Sequence, residues 1–362
     1  MKEVGYYEEQ VSNWIALVEP VCKQTMEEVK ERWNTLCKPL ESLGKLEHIV
    51  IQLGGIYRTE YPKSRKKAVI IMAGDHGIVE EGVTQTGQEV TRSVVESMTK
   101  KASAVCIMAA QNQADVFPVD IGIASEPEGE GIVRKKVCYG TKNFKKQAAM
   151  TREEAAQAIF YGIETIKELV KKGYDTFAIG EMGIGNTTTS SAITAAYFQC
   201  SAKEVTGRGA GLTAKGLERK ISVIEEAIQF HKPNKDDVFD LLSKIGGLDI
   251  AGMIGCFLGA ALYRRPIIID GFISTVSAML AIRLCPICKE YMLPSHCSKE
   301  PAGKRVLEEI GLEPYFMMDM HMGEGTGAVM TFSLIDYALT CYHKIPKFEE
   351  NKIEKYVPLN EK

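Results

Sequence analysis

Thr176-Phe177-Ala178-Ile179 runs directly into Gly180-Glu181-Met182-Gly183-Ile184-Gly185-Asn186-Thr187-Thr188-Thr189, and a helical pattern then continues through about Phe198. A short apolar strand, a glycine-rich turn and a helix in that order describe one unit of a parallel α/β sheet. The turn can hold an anion on backbone N–H groups at the helix start, with a carboxylate beside it. A second segment repeats the layout: Tyr315–Met318 leads into His321-Met322-Gly323-Glu324-Gly325-Thr326-Gly327-Ala328, followed by a helix from about Ala328 to Tyr342. The two glutamates lie 143 positions apart (324 minus 181). A large fold must bring them together if they serve one site.

Four more strand-like runs extend the pattern. Ala68–Met72 ends in Ala73-Gly74-Asp75-His76-Gly77, and Asp115–Val119 ends in Asp120-Ile121-Gly122. Pro266–Ile269 ends in Asp270-Gly271, and Tyr291–Leu293 in Pro294-Ser295-His296. Helical patterns lie between them: one from about Gln88 to Ala110, one from a Thr151/Glu154 capping box to Lys172 with Gly173 as its stop, and one over Thr275–Leu284. Residues 7–43 read as helical and 122–147 as loop. The sum is about six strands buried on both faces, alternating with helices: α/β, with a parallel sheet and right-handed crossovers. Ligands of such sheets bind beyond the carboxyl ends of the strands. That rule gathers Asp75, His76, Asp120, Glu181, Asn186, Asp270, Ser295, His296 and Glu324 into one candidate site.

Composition sets the outer limits. The chain has 362 residues, 45% hydrophobic and 25% charged, with net charge −3. This is ordinary globular composition, long enough for one large domain with an appendage or for two. Lys and Arg are scattered apart from short runs such as Lys63–Lys67, so nothing suggests nucleic acid. The start, MKEVGYYEEQ, is acidic and unlike a secretory signal. The longest apolar stretch, Ala251–Tyr263, is shorter than the roughly 20 residues a bilayer span needs. A soluble, cytoplasmic protein is expected. Ten cysteines are then expected to be reduced thiols. Cys285-Pro286-Ile287-Cys288 with His296-Cys297 has soft ligands enough for zinc, but no second CxxC accompanies it, and ordinary cysteines are the expected reading.

Several familiar motifs are missing. The first strand has no GxGxxG after it, nothing matches GxxxxGK[ST], and HExxH and GxSxG are absent. Among the residues present, Glu324 between glycines suits a general base whose pKa is raised by burial. Glu181 could hydrogen-bond sugar hydroxyls or face positive charge, or simply favour a helix dipole. Gly183, Gly185, Asn186 and Thr187 suit an anion cradle. Lys215 and Lys220, after the turn Gly207-Arg208-Gly209-Ala210-Gly211, could reach a phosphate, although solvated lysines are commoner. Gly246-Gly247-Leu248-Asp249 reads as a tight turn before a buried helix, a packing role.

Nine blocks then stand in the order of one family: AGDHG (73–77), GQEVT (87–91), GTKN (140–143), GEMGIGNTT (180–188), GRGAG (207–211), GGLDIAGM (246–253), DGFIS (270–274), SHCS with Glu300 (295–300) and GEGTGA (323–328). From about residue 50 to 340 the chain resembles the nicotinate-nucleotide–dimethylbenzimidazole phosphoribosyltransferases, which prepare the lower ligand of cobalamin. The resemblance implies that a base attacks C1′ of β-nicotinate mononucleotide, nicotinate leaves, and an inverted α-ribotide forms. It implies Glu324 as general base and Glu181 as second carboxylate. It places Gly183, Gly185, Lys220 and Ser298 at the nucleotide and Gln88 beside the base pocket; Asn186, Asp270, Gly325 and Gly327 are expected at the substrates with them. No metal or cofactor is implied.

The implied fold is a Rossmann-like six-stranded parallel sheet, residues 51–342, with a small helical domain built from 1–50 and 343–362. Members are dimers; a homodimer is expected here, a heterodimer with a paralogue being the alternative. Where many members carry an aromatic-proline pair before the Gln-Glu-Val-Thr block, this chain has Thr86-Gly87. That departure leaves the acceptor open among dimethylbenzimidazole, other benzimidazoles, adenine and phenols such as p-cresol. Competing readings are a non-catalytic paralogue and a nucleotide sensor.

Overall fold

The computed structural model describes residues 5–64 and 66–356. Six strands form one parallel sheet: β1 (Lys67–Gly74), β2 (Ala114–Gly122), β3 (Val133–Arg134), β4 (Thr176–Met182), β5 (Ile267–Ile269) and β6 (Met292–Pro294). Their order across the sheet is β3-β2-β1-β4-β5-β6. The order in which strands are added reverses between β1 and β4, which is where α/β sheets of this kind open a crevice for ligands.

The strands alternate strictly between two apolar layers, because successive side chains point to opposite faces. Ala68, Ile70 and Met72 of β1 pack into one layer with Phe177 and Ile179 of β4. Val69, Ile71 and Ala73 pack into the other with Ala178 and Ile268. The first layer is closed by the helices Arg152–Lys171, Leu248–Leu262 and Phe272–Leu284. The Arg152–Lys171 and Leu248–Leu262 helices meet through glycines: a Cβ on Gly162 would lie 2.8 Å from the Gly255 Cα. The apolar helix after Asp249 does therefore pack as expected.

The second layer is closed by the helices Thr326–Lys344, Lys45–Tyr57, Lys23–Trp33 and Ala104–Gln111. Trp33 meets Tyr342 edge-on at 4.9 Å. The chain ends also touch: Leu36 bridges Lys347, and Cys37 N–H donates to the Pro346 carbonyl at 2.8 Å. Residues 1–4 and 357–362 of the expected small domain lie outside the described residues, as does Arg65 of the Lys63–Lys67 run.

Four local expectations change. Tyr315–Met318 is not a strand; it makes a single bridge, Phe316 to His296, and Met317 and Met318 are exposed. Tyr315 is half-buried against the second layer and Phe316 stacks on His296, so the run supplies no continuous core strand. The sixth strand is Val133–Arg134, inside the expected 122–147 loop, and two residues carry no periodicity to read. The expected 88–110 helix is two, Glu89–Thr99 and Ala104–Gln111. Lys101 breaks it with a positive φ of 57°, and the Ser103 hydroxyl caps the second piece. Residues 7–43 hold the helices Tyr6–Ile15 and Lys23–Trp33, with non-helical chain on either side of Leu36.

Candidate active site

The two glycine-rich segments meet. A Cβ on Gly180, in β4, would lie 2.5 Å from the Gly325 nitrogen and 2.6 Å from the Glu324 carbonyl carbon. Only a glycine lets the second turn lie against the strand. Gly323, Glu324 and Gly325 then take three consecutive left-handed conformations, with φ of 80°, 58° and 78°. For a glutamate that backbone is strained, at about 1–2 kcal/mol. It is held by Asp270, at the end of β5, whose carboxylate accepts the N–H groups of Gly325 (3.1 Å), Gly327 (2.7 Å) and Ala328 (3.0 Å).

Beside this junction opens a cavity of about 280 Å³ at the carboxyl ends of β4, β5 and β6. Glu181, Met182, Gly183, Gly185, Asn186 and Thr187 form one wall; Gly323 and Glu324 form another. Val83, Val90 and Val94 supply an apolar side interleaved with Thr84, Gln85 and Thr86, tied to the 207–211 turn by the Gln85 amide donating to the Gly211 carbonyl. Lys220, Ser298 and Glu300 close the far end.

The expected site residues divide into two groups. Glu181, Gly183, Gly185, Asn186, Lys220, Ser298 and Glu324 line the cavity. Asp270, Gly325 and Gly327 do not; they build the turn that presents Glu324. Gln88 is not among the lining residues either: its amide donates to the His76 carbonyl at 3.0 Å, fixing the start of the Glu89–Thr99 helix. Of the other strand-end residues, His296 lines the cavity, whereas Asp75 and Asp120 accept loop N–H groups at Ala124 and Ile123. Ser295 donates to the Asp270 carbonyl.

Lys220 is buried rather than solvated. Its Nζ donates to Thr187 Oγ1 at 2.9 Å and to the Gly207 carbonyl at 3.2 Å. Burial lowers its pKa to about 8, opposed by the Glu300 carboxylate. Lys215 is exposed and takes no part in the cavity. Thr187 stands in the first turn of the Asn186–Phe198 helix, whose start has no side-chain cap. Helix N-terminus and cation therefore meet in one place, an arrangement able to hold an anion such as a phosphate.

Three acids at the junction are pushed upward. Glu181 is raised to about 8, first by burial and then by Asp249, with the Asn186 hydrogen bond opposing. Asp270 is raised to about 6 by burial, against three N–H donors from the glycine turn. Burial also raises Glu324, whose Oε2 is buried with no hydrogen-bond partner. His296 is held neutral, its pKa lowered by burial to about 4. Two residues were missed as site chemistry. Asp249 contacts Asn186 and His76 from behind the wall, and Glu300 faces the cation. A lone acid opening the apolar run 248–262 was the available signal for Asp249. Among the described residues no three His, Cys, Asp or Glu are grouped to hold a metal ion. Cys285 and Cys288 hydrogen-bond each other, which lowers the Cys285 thiol to about 7; burial first, and then that bond, raises Cys288.

A phosphoribosyltransferase family model matches residues 18–353. The chain is 45% identical over 349 residues to the nicotinate-nucleotide–dimethylbenzimidazole phosphoribosyltransferase of Clostridium acetobutylicum, covering 96% of this chain and 99% of that one. This chain belongs to that family. A second family member, from Acetivibrio thermocellus, is 46% identical over 336 residues, covering 93% of this chain and 96% of its own. The family fold is matched as well. CobT of Thermus thermophilus superimposes with a TM-score of 0.87 at 32% identity, covering 92% of this chain and all of that one. The nicotinate-nucleotide–dimethylbenzimidazole phosphoribosyltransferase family thus accounts for the sheet and its flanking helices.

Proposed function

We propose that the chain transfers the 5-phosphoribosyl group of β-nicotinate mononucleotide to 5,6-dimethylbenzimidazole, giving α-ribazole 5′-phosphate and nicotinate in cobalamin nucleotide-loop assembly. The observation that carries this reading is the shape of the site. A phosphate cradle at Lys220 and two unlike carboxyls at Glu181 and Glu324 share one partly apolar cavity.

The residues divide the work. Lys220, Thr187, Ser298 and the start of the Asn186–Phe198 helix hold the donor phosphate; the dianion keeps the buried lysine charged. The Val83–Thr86, Val90 and Val94 side takes the aromatic base. One base nitrogen forms its bond to C1′ as the C1′–pyridinium nitrogen bond breaks, and its electron pair leaves with nicotinate. The attack comes from the opposite face, so β becomes α. The base's N–H proton passes to Glu324, whose free Oε2 and raised pKa suit a proton acceptor near neutrality. Glu181 faces the ribosyl centre, where positive charge develops. Asp270 and the glycines hold Glu324 in place.

Thr86 lines the cavity, so the departure from the aromatic-proline pair falls on the acceptor wall. It favours a second reading of acceptor only: a phenol, p-cresol, adenine or another benzimidazole, with the same donor chemistry. We also propose a homodimer, supported by exposed Met317, Met318 and Met322, the last of which lines the cavity, with a paralogue heterodimer as alternative. The small domain is read as 1–50 plus 343–362. A cytoplasmic location fits a chain in which no described helix is long and apolar enough to cross a membrane.

The test is incubation of the purified chain with nicotinate mononucleotide and each candidate base. Nicotinate release and new ribotides are followed by chromatography with mass detection. Base-dependent release is expected, fastest with the physiological acceptor. Folded protein that binds the donor and turns over no base would overturn the transferase reading for the chain alone.

A further inference from the structure

Asp249 opens the Leu248–Leu262 helix, in which every other residue through Ala261 is a buried apolar one or glycine. An acid there suits the helix dipole, and its Oδ1 accepts the Ile250 N–H at 2.8 Å. Neither fact requires its remaining contacts. His76 Nε2 stands 3.0 Å from Oδ1, off the line of a good hydrogen bond, while the other ring nitrogen lies 2.8 Å from Thr189 Oγ1. The ring is fixed from both sides. Asp249 Oδ2 accepts from Asn186 Nδ2 at 3.2 Å, and the same nitrogen donates to Glu181 Oε2. A primary amide nitrogen carries two N–H groups. Here both are taken by carboxyls, so Asn186 is a clasp between them.

Resting on the transferase reading, we propose that Asp249 is a positioning residue for the reaction. It clamps the Asn186 amide, fixes the Glu181 carboxyl through it, and sets a negative charge behind that carboxyl. Asp249 does not line the cavity and so acts only through its neighbours.

The groups acting on Glu181 come from four elements: Asn186, Asp249, Asp270 and Glu324. Three of them are acids. In the empty site Glu181 therefore keeps its proton near neutrality. A ribosyl donor with a cationic pyridinium reverses the preference, and the proton leaves to solvent on binding. Glu181 is then an anion when the bond to nicotinate breaks. Asp249 decides how reluctantly that proton leaves.

Calorimetric titration of the full chain with nicotinate mononucleotide, in buffers of different ionisation heat across neutral pH, reads the released proton. Release is expected for the native chain; in Glu181→Gln it disappears and leaves only the proton uptake of Lys220, whose pKa of about 8 the donor phosphate raises. In Asp249→Asn the pH at which release is half complete falls by about one pH unit or more, since a like charge has been removed. In Asn186→Ala it rises, since a hydrogen bond to the anion is lost. The inference fails if Asp249→Asn matches the native proton release and kcat pH profile, whatever its stability. Should that variant not fold, the absence of an upward move in Asn186→Ala overturns it equally. Native protein that does not bind the donor removes the transferase reading and this inference together. Donor binding and turnover with release indifferent to both variants remove the inference alone.

Discussion

The two glycine-rich turns carry one glutamate each, yet hold it by opposite means. Glu181 ends a strand in ordinary extended surroundings, and side chains fix it: Asn186 bonds it, Asp249 stands behind it, and three acids share its space. Glu324 has no such retinue. Its backbone fixes it, through three left-handed residues and the Asp270 anchor, and one of its oxygens has no partner. A carboxyl held by side chains has its proton affinity tuned by them. One held by backbone keeps its oxygens free to exchange a proton. Two copies of a strand–glycine–helix layout were expected; the structure uses their glycine turns to supply unlike groups to one cavity.

The sharpest way to break this contrast is Glu324→Gln. Turnover should fall by roughly 10²–10⁴-fold, the usual worth of a general base, with donor affinity and Tm close to native. Native-like rates would take Glu324 out of the mechanism. Next comes Gly180→Ala, which touches neither carboxyl chemically. Its Cβ must push the Glu324–Gly325 backbone away, so activity should drop by about 10²-fold, with stability reduced by about 1–3 kcal/mol. A fully active Gly180→Ala would show that the turn is not fixed as described.

Lys220→Ala tests the cradle that belongs to the first turn's helix. Donor KM should rise by about tenfold or more while kcat changes less, as for lost ground-state binding. An unchanged KM would leave Lys220 a buried structural lysine. The smallest effect is on stability without ligand. The Glu181 pKa is raised from 4.5 to about 8 in the folded chain. Its contribution is therefore complete below the lower value and lost as pH climbs through the upper one. Asp270, raised to about 6, adds the same sign. Tm of the empty protein should fall across that window, and Glu181→Gln should flatten the upper part. A Tm profile identical in the variant would mean Glu181 is not the tuned member of the pair.

Much of this was legible because it repeats. Long β1, β2 and β4 read as apolar runs, and of the polar residues gathered by the strand-end rule Glu181, Asn186, His296 and Glu324 line the cavity. What failed was short or ambiguous. Val133–Arg134 is two residues long, and in the apolar run Tyr315–Met318 only Tyr315 and Phe316 turn inward while Met317 and Met318 are exposed. The Lys100-Lys101-Ala102-Ser103 break was readable as a cap and lost inside a longer helical pattern. In the site, Glu181, Asn186, Lys220 and Glu324 sit in or near conspicuous glycine-rich blocks. Asp270 was assigned to the substrate, whereas its carboxylate is used on three N–H groups of another segment 55 to 58 positions away. Asp249 looked like packing because its partners, His76 and Asn186, are 173 and 63 positions distant (249 minus 76, 249 minus 186). No local pattern records either meeting.

That anchor has a consequence for motion. Glycines at 323, 325 and 327 would ordinarily mark a floppy loop. The Gly325, Gly327 and Ala328 amides instead end on a buried carboxylate supplied by β5, an interior strand of the sheet. In hydrogen–deuterium exchange these amides should be among the slow ones, opening only when the sheet itself opens. The turn that presents Glu324 would then have the lifetime of the core, and the enzyme would meet each substrate with that glutamate already in place.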